Sequence, residues 1–108
     1  MARTNLGELE EQVLLILVKL GGESYAVEVA DHLAEQTGRE VSAATTFMVM
    51  RRLEQRGLAA SRVGDPDPEY GGRPRRFYKV NMRAVRPLLR ASREARMTLW
   101  KGLDHLWR

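Results

Sequence analysis

Residues 57–80 read GLAASRVGDPDPEYGGRPRRFYKV, and this stretch decides the fold. Leu58 to Val63 and Arg75 to Val80 have the bounded, alternating pattern of two short strands. The residues between them, Gly64 to Pro74, are dense in glycine and proline and read as a loop, not as a continued strand. The two strands form a β-hairpin. Its loop ends on Gly71 and Gly72, and Arg73, Arg75 and Arg76 stand at the far end.

Moving outward toward the N-terminus, the spacing predicts three helices. The nearest runs from Ala43 to Arg56, with Ser42 to cap its first turn and Gly57 after its end. Thr46, Val49, Met50 and Leu53 form its inward stripe. Ala44, Thr45, Met48, Arg51, Arg52 and Gln55 face out, and Phe47 reads equally as a core aromatic or as a groove-edge contact. A second helix is predicted from Ser24 to Thr37, where Tyr25, Val29 and Leu33 recur every four residues between Ser24 as N-cap and Gly38 as C-cap. The first is predicted from Leu6 to Leu20. Leu9, Val13, Ile16 and Leu17 make one stripe, and Leu14, Leu15 and Val18 add a second.

On the other side of the hairpin, Asn81 caps a helix predicted over Met82 to Trp107, with Pro87 as a kink or the mark of its true first turn. Such a helix is about 38 Å long. That exceeds a core of this size, so part of its apolar stripe must find a partner on another chain. The fold class is mainly α with a small β-hairpin: a winged helix-turn-helix DNA-binding domain over residues 1–80 and a C-terminal dimerisation helix over residues 81–108.

Charge separates the two halves of the 108-residue chain. Residues 1–50 hold three cations and eight acids, whereas residues 51–108 hold fifteen cations and six acids. This asymmetry points to an anionic partner for the second half. Fifteen of the 18 cations are arginine, whose planar fork suits phosphate and guanine. A GC-rich genome explains the arginine-to-lysine ratio equally well, but not the asymmetry.

Composition excludes much else. The absence of cysteine rules out disulfides, thiolate zinc sites and a cysteine nucleophile. The longest apolar run, Val13 to Val18, is far short of the roughly 20 residues of a membrane span. Residues 1–9 are polar and carry acids, unlike a signal peptide, so a cytoplasmic protein is expected. His32 and His105 lack paired ligands, so no metal and no cofactor is expected. No phosphate loop, nucleophile elbow or zinc-protease motif occurs, so an enzyme is not expected, and Glu10 and Glu11 read as a solvated pair rather than an acid/base couple.

The chain resembles the PadR family of bacterial transcriptional regulators over nearly its whole length. The resemblance lies in LGELE at 6–10, VLLIL at 13–17, YAV at 25–27, LEQRGL at 53–58, and the GDPDPEYGGR run at 64–73 leading into RFY at 76–78. With a single C-terminal helix, the chain looks like the family's smaller subfamily. The resemblance implies a homodimer that represses a nearby promoter and releases it on binding a small molecule. There are departures. Ala26 stands where the family usually has glycine. Thr46 and Phe47 replace an aliphatic residue and tyrosine, and Asn81-Met82 replaces Thr-Glu. The operator sequence does not transfer across these changes.

The candidate recognition-helix contacts are Ser42, Ala43, Thr45, Phe47, Met48, Arg51 and Arg52. The candidate wing contacts are Gly71, Gly72, Arg73, Arg75 and Arg76. Leu14, Leu88, Leu89, Ala95, Leu99, Leu103 and Leu106 are expected at a dimer interface. Trp100 and Trp107 are a candidate pair for a hydrophobic effector, although large apolar residues on a dimerising helix also serve simply to bury area. The expected partners are double-stranded DNA with a palindromic operator, a second copy of the chain and a hydrophobic small molecule, with no membrane. Two rivals stand beside this reading: a winged-helix protein-interaction module without DNA binding, and a drug-sensing repressor with a tryptophan-lined dimer pore.

Overall fold

Apolar spacing in the first 60 residues builds a three-helix core, and the basic second half wraps it with a sheet and an outlying helix. A computed structural model describes residues 5–108. The elements in order are α1 (Glu8–Lys19), β1 (Glu23–Ser24), α2 (Ala26–Thr37), α3 (Ala43–Gln55), β2 (Ala59–Pro66), β3 (Pro74–Val80) and α4 (Met82–Trp100). Short 3₁₀ turns occupy Pro68–Tyr70 and Asp104–Trp107.

The core forms where the helix stripes meet. Val13 and Leu17 from α1, Leu33 from α2 and Leu53 from α3 are wholly buried. Tyr78 of β3 and Val85 of α4 close the cluster. The arrangement is a winged helix, mainly helical with one small antiparallel sheet, as the pattern of the sequence implies. No helix among the described residues is long and apolar enough to cross a membrane.

Four expectations need correction. First, the sheet has three strands in the order β1-β3-β2, not two. Ser24 lies in β1 opposite Tyr78 and does not cap α2. Tyr25 takes the N-cap position, and the Ser24 hydroxyl donates to Glu28.

Second, β2 continues past Gly64 to Pro66, with an irregular register between Val63 and Pro66. Gly64 is required there because the ring of Phe77 lies across it. A Cβ at this position would fall 2.6 Å from the ring.

Third, α4 stops at Trp100 rather than Trp107. Gly102 adopts φ +84° just beyond Lys101, and the chain turns back into the 3₁₀ segment. Glycine takes this left-handed position without strain, and so ends the helix. Pro87 lies inside α4 without ending it.

Fourth, Glu10 and Glu11 are not solvated. Each is only 4% exposed. Glu10 accepts from the Gly7 N–H at 2.8 Å and pairs with Arg56 at 3.0 Å. Glu11 accepts from Ser92 and pairs with Arg96, both on α4. A buried carboxylate persists when cations and hydroxyls replace its water in this way. The second apolar face of α1 is also split: Leu14 is wholly buried, whereas Leu15 and Val18 are partly open to solvent.

Candidate nucleic-acid interface

The outer face of α3 is set by its cap. Ser42 accepts the Thr45 N–H at 3.0 Å, and its hydroxyl donates to Thr45 Oγ1. Thr46 turns inward, wholly buried, with Oγ1 donating to the Ser42 carbonyl. This phase leaves Ala44, Thr45, Met48, Arg51 and Arg52 exposed on one side of the helix, with Ala43 half-buried at its start. Met48 is 56% exposed, an apolar side chain in the middle of this open face. Neither Arg51 nor Arg52 has an ion pair with a described carboxylate. The nearby acids are engaged elsewhere: Glu10 with Arg56, and Glu54 with the backbone and hydroxyl of Ser61. Phe47 is half-buried. Its ring meets that of Tyr78 edge-on, with centroids 6.1 Å apart, so it packs α3 against the sheet.

The wing is stiffened by arginines alternating with aromatic rings on one face of the sheet. Arg62 lies over Phe77 at 4.7 Å, and Phe77 meets Tyr25 edge-on at 5.6 Å. Arg75 contacts both Tyr25 (4.3 Å) and Tyr70 (4.6 Å), and Arg73 covers Tyr70 at 4.7 Å. Each such contact joins a cation to the electron-rich face of a ring.

Two carboxylates close the arrangement. Glu23 holds Arg62 at 2.9 and 3.1 Å, and Asp67 accepts from Arg75 Nε at 2.8 Å. The hydrogen bond from Arg62 pulls the Glu23 carboxyl below its ordinary value. The bond from Arg75, then the Glu69 N–H, does the same for Asp67.

The expected wing contacts therefore divide. Gly71, Gly72 and Arg73 are exposed at the tip, and Arg76 is exposed on the side that donates to Ser61. Arg75 is largely enclosed, with 16% of its side chain exposed, and its charge is matched by Asp67. The parts sequence reasoning missed are Tyr25, Tyr70, Asp67 and Arg62. Of these only Tyr70 carried a local sign, the recurrence of arginine and aromatic residues along 70–77.

Comparison with known proteins agrees with this architecture. Residues 6–70 match the penicillinase repressor family. A PadR family transcriptional regulator from Eggerthella lenta DSM 2243 is 30% identical. The match covers 89% of this chain and 80% of that one, with a TM-score of 0.67. The chain belongs to the PadR family of transcriptional regulators.

This PadR-family chain is thus a transcriptional regulator and not an enzyme. A transcriptional regulator from Clostridium thermocellum shares the fold at 20% identity and a TM-score of 0.65, covering 83% of this chain and 82% of that one. A PadR family regulator from Clostridium difficile R20291 shares it at 19% identity and 0.61, covering 93% and 94%. No curated protein matches the sequence.

The PadR-family α4 stands apart from the reading head, the part formed by α1 to β3. Two grooves flank its contact with α1. One, about 1230 Å³, is lined by Leu15, Leu89, Met97 and Trp100, with Arg86, Arg90, Arg93 and Lys101 along it. The other, about 570 Å³, holds Leu88, Ala91, Ala95 and Leu99. Of the residues expected at a dimer interface, Leu99, Leu103 and Leu106 are exposed, Ala95 is exposed, and Leu88 and Leu89 are half-buried against the core. Leu14 is buried within its own chain and is not available to another. Trp107 folds back onto Trp100, with ring centroids 5.1 Å apart, and Trp100 lines the larger groove. Among the described residues no group of acids and histidines could hold a metal ion.

Proposed function

We propose that the protein is a cytoplasmic, homodimeric repressor that reads a palindromic operator near its own promoter and is released by a small molecule. The observation that carries the DNA-reading part is the free face of α3. Thr45, Met48, Arg51 and Arg52 lie open beside a stiff wing, and the neighbouring acids are paired elsewhere. Thr45 and Met48 reach base edges, Met48 through a thymine methyl. Arg51, Arg52, Arg73 and Arg76 hold phosphates or guanine, and the Gly71–Gly72 tip lets the wing approach the backbone closely. Ser42, Ala43, Phe47 and Arg75 position these groups.

Residues 1–80 read the DNA and residues 81–108 join two copies. Leu99, at 75% exposed, and Leu106, at 56%, support the second role, because large apolar side chains this open in a single chain favour a partner. Twofold symmetry then sets two recognition helices about 34 Å apart, one DNA turn. The effector fits the groove beside Trp100. With Glu11 paired to Arg96, the remaining cations Arg86, Arg90, Arg93 and Lys101 outnumber Glu94 and Asp104 along that groove, which favours an amphipathic organic anion over a cationic dye.

The test is fluorescence anisotropy with the duplex upstream of the gene and a scrambled duplex, at low and moderate salt. Tight binding to the first alone, surviving added salt, supports an operator. No binding to either at low salt overturns DNA reading. It would favour the protein-interaction module, whose function would survive Arg73→Ala with Arg76→Ala.

A further inference from the structure

α4 is fastened to the reading head at two places of different character. Near its start, Val85 is wholly buried, and Leu88 and Leu89 pack against the core. Farther along, every residue from Arg93 to Trp100 is exposed. One carboxylate ties this outer half down. Glu11 of α1 accepts from the Ser92 hydroxyl through Oε2 and pairs through Oε1 with Arg96 Nη2. Pro87 sits within this fastened start and donates no backbone hydrogen bond, so the helix is weakened beside Leu88 and Leu89, which must slide along the core when the outer half swings.

We propose that the Glu11–Ser92–Arg96 contact is a latch that fixes the direction of α4 and thereby sets the separation of the two recognition helices. The inference rests on the dimeric, DNA-reading function proposed above. Glu11 is a positioning residue and touches no DNA.

The geometry gives the latch leverage. From Pro87 to Trp100 the helix is an arm of about 20 Å. A swing of about 10° at the proline moves its end by about 3.5 Å, close to one base-pair step of about 3.4 Å. Two protomers joined through such arms shift their recognition helices by a comparable amount. A half-site spacing is then read correctly only while the latch is closed.

The latch is also asymmetric. The Glu11 side chain is 5% exposed and that of Arg96 is 49% exposed. Removing the arginine strands a buried charge, whereas neutralising the carboxylate leaves an arginine that water can solvate. Glu11→Gln therefore weakens the latch, removing the charge that holds Arg96 and leaving one acceptor oxygen where two stood, while keeping the volume at the core, and Arg96→Met is the harsher change.

The chain has no cysteine, so spin labels can be placed at Glu35→Cys on α2 and Thr98→Cys on α4 of the full-length protein. Labelled chain is diluted with unlabelled chain, and the distance distribution is read by pulsed electron paramagnetic resonance. A single narrow distance is expected with the native latch, a broadened or shifted one with Glu11→Gln, and a narrow one again with Arg96→Lys. An unchanged distribution in Glu11→Gln overturns the latch.

A second arm uses the upstream duplex with one base pair inserted at its dyad. The native protein should lose affinity by about tenfold and the Glu11→Gln protein by about twofold. Equal losses overturn the spacing role, because a merely structural defect weakens binding to both duplexes alike. If the native protein binds no duplex, the DNA-reading proposal falls, and the distance measurement alone decides the latch.

Discussion

Asp67 accepts a hydrogen bond from Arg75 Nε at 2.8 Å, across the base of the wing loop. The pair fixes the guanidinium between the rings of Tyr25 and Tyr70. The Arg75 contact, and then the Glu69 N–H, lower the Asp67 carboxyl below its ordinary value. A carboxylate whose pKa is depressed in the folded state stabilises that state above its unfolded value, near 3.9. The contribution is lost as pH falls through the lower folded value. Nuclear magnetic resonance of the Arg75 Nε–H should therefore show an ordered wing at neutral pH and its release only in acid, below about pH 4. In Asp67→Asn the acid step should vanish, because the group that titrates is gone. A step that persists in that variant would assign the transition to Glu23 or another carboxylate.

Arg73 and Arg75 stand two residues apart, and the structure gives them different work. Arg73 is exposed over Tyr70, whereas Arg75 is enclosed and neutralised by Asp67. Arg73→Ala should weaken all duplexes about equally and reduce the slope of log affinity against log salt by about one, the signature of a lost phosphate contact. Arg75→Ala should loosen the wing instead. Affinity should fall while the salt slope changes by less than it does in Arg73→Ala. Near-ultraviolet circular dichroism should change more in the Arg75 variant, which loses contacts to both Tyr25 and Tyr70, than in the Arg73 variant, which loses one to Tyr70 alone. Identical salt slopes and spectra for the two variants would refute the division.

The difference between these two arginines shows where sequence reading stops. Residues 42–57 announce α3 through a serine cap, a buried stripe and a closing glycine. All of these act within a few residues, so the helix and its outward face were legible. The wing arginines were legible as a basic group, but the enclosure of Arg75 was not, because one of its rings, Tyr25, arrives from the other end of the domain. β1 was invisible for a related reason. Two residues carry no alternation, and Glu23–Ser24 is a strand only because Lys79 and Tyr78 lie beside it. The burial of Glu11 depends on Ser92, 81 residues away. Adjacent glutamates on a helix look solvated until the tertiary structure supplies their partners.

Among the described residues, Tyr78 carries a discordant group of the core. The residue is wholly buried, and its hydroxyl has no hydrogen-bond partner among the described residues. Burial pushes its ionisation above the ordinary tyrosine value. A buried polar atom left unpaired costs about 1–3 kcal/mol. Tyr78→Phe deletes that atom and keeps the ring that meets Phe47, so it should stabilise the fold by about 1 kcal/mol. The melting temperature should rise by about 4 °C, with affinity for the duplex unchanged. A lower melting temperature would mean that the hydroxyl has a partner in solution.

The turn that brings Trp107 onto Trp100 depends on Gly102 at φ +84°. A Cβ there would meet nothing within 4 Å, so alanine fails on backbone conformation alone and not by collision. The left-handed region costs a residue with a Cβ about 1–2 kcal/mol. Trp107 is 70% exposed and has little else to hold it. Gly102→Ala should therefore release this hook, the turn that folds Trp107 onto Trp100. Its two tryptophans would separate, and the near-ultraviolet circular dichroism arising from the tilted ring pair would be lost. Trp100→Phe should abolish the same signal by removing one partner. The reading head is remote from the hook, so duplex binding through a single half-site should be unaffected in both variants. A signal retained in Gly102→Ala would mean that the ring contact, and not the glycine, determines the turn.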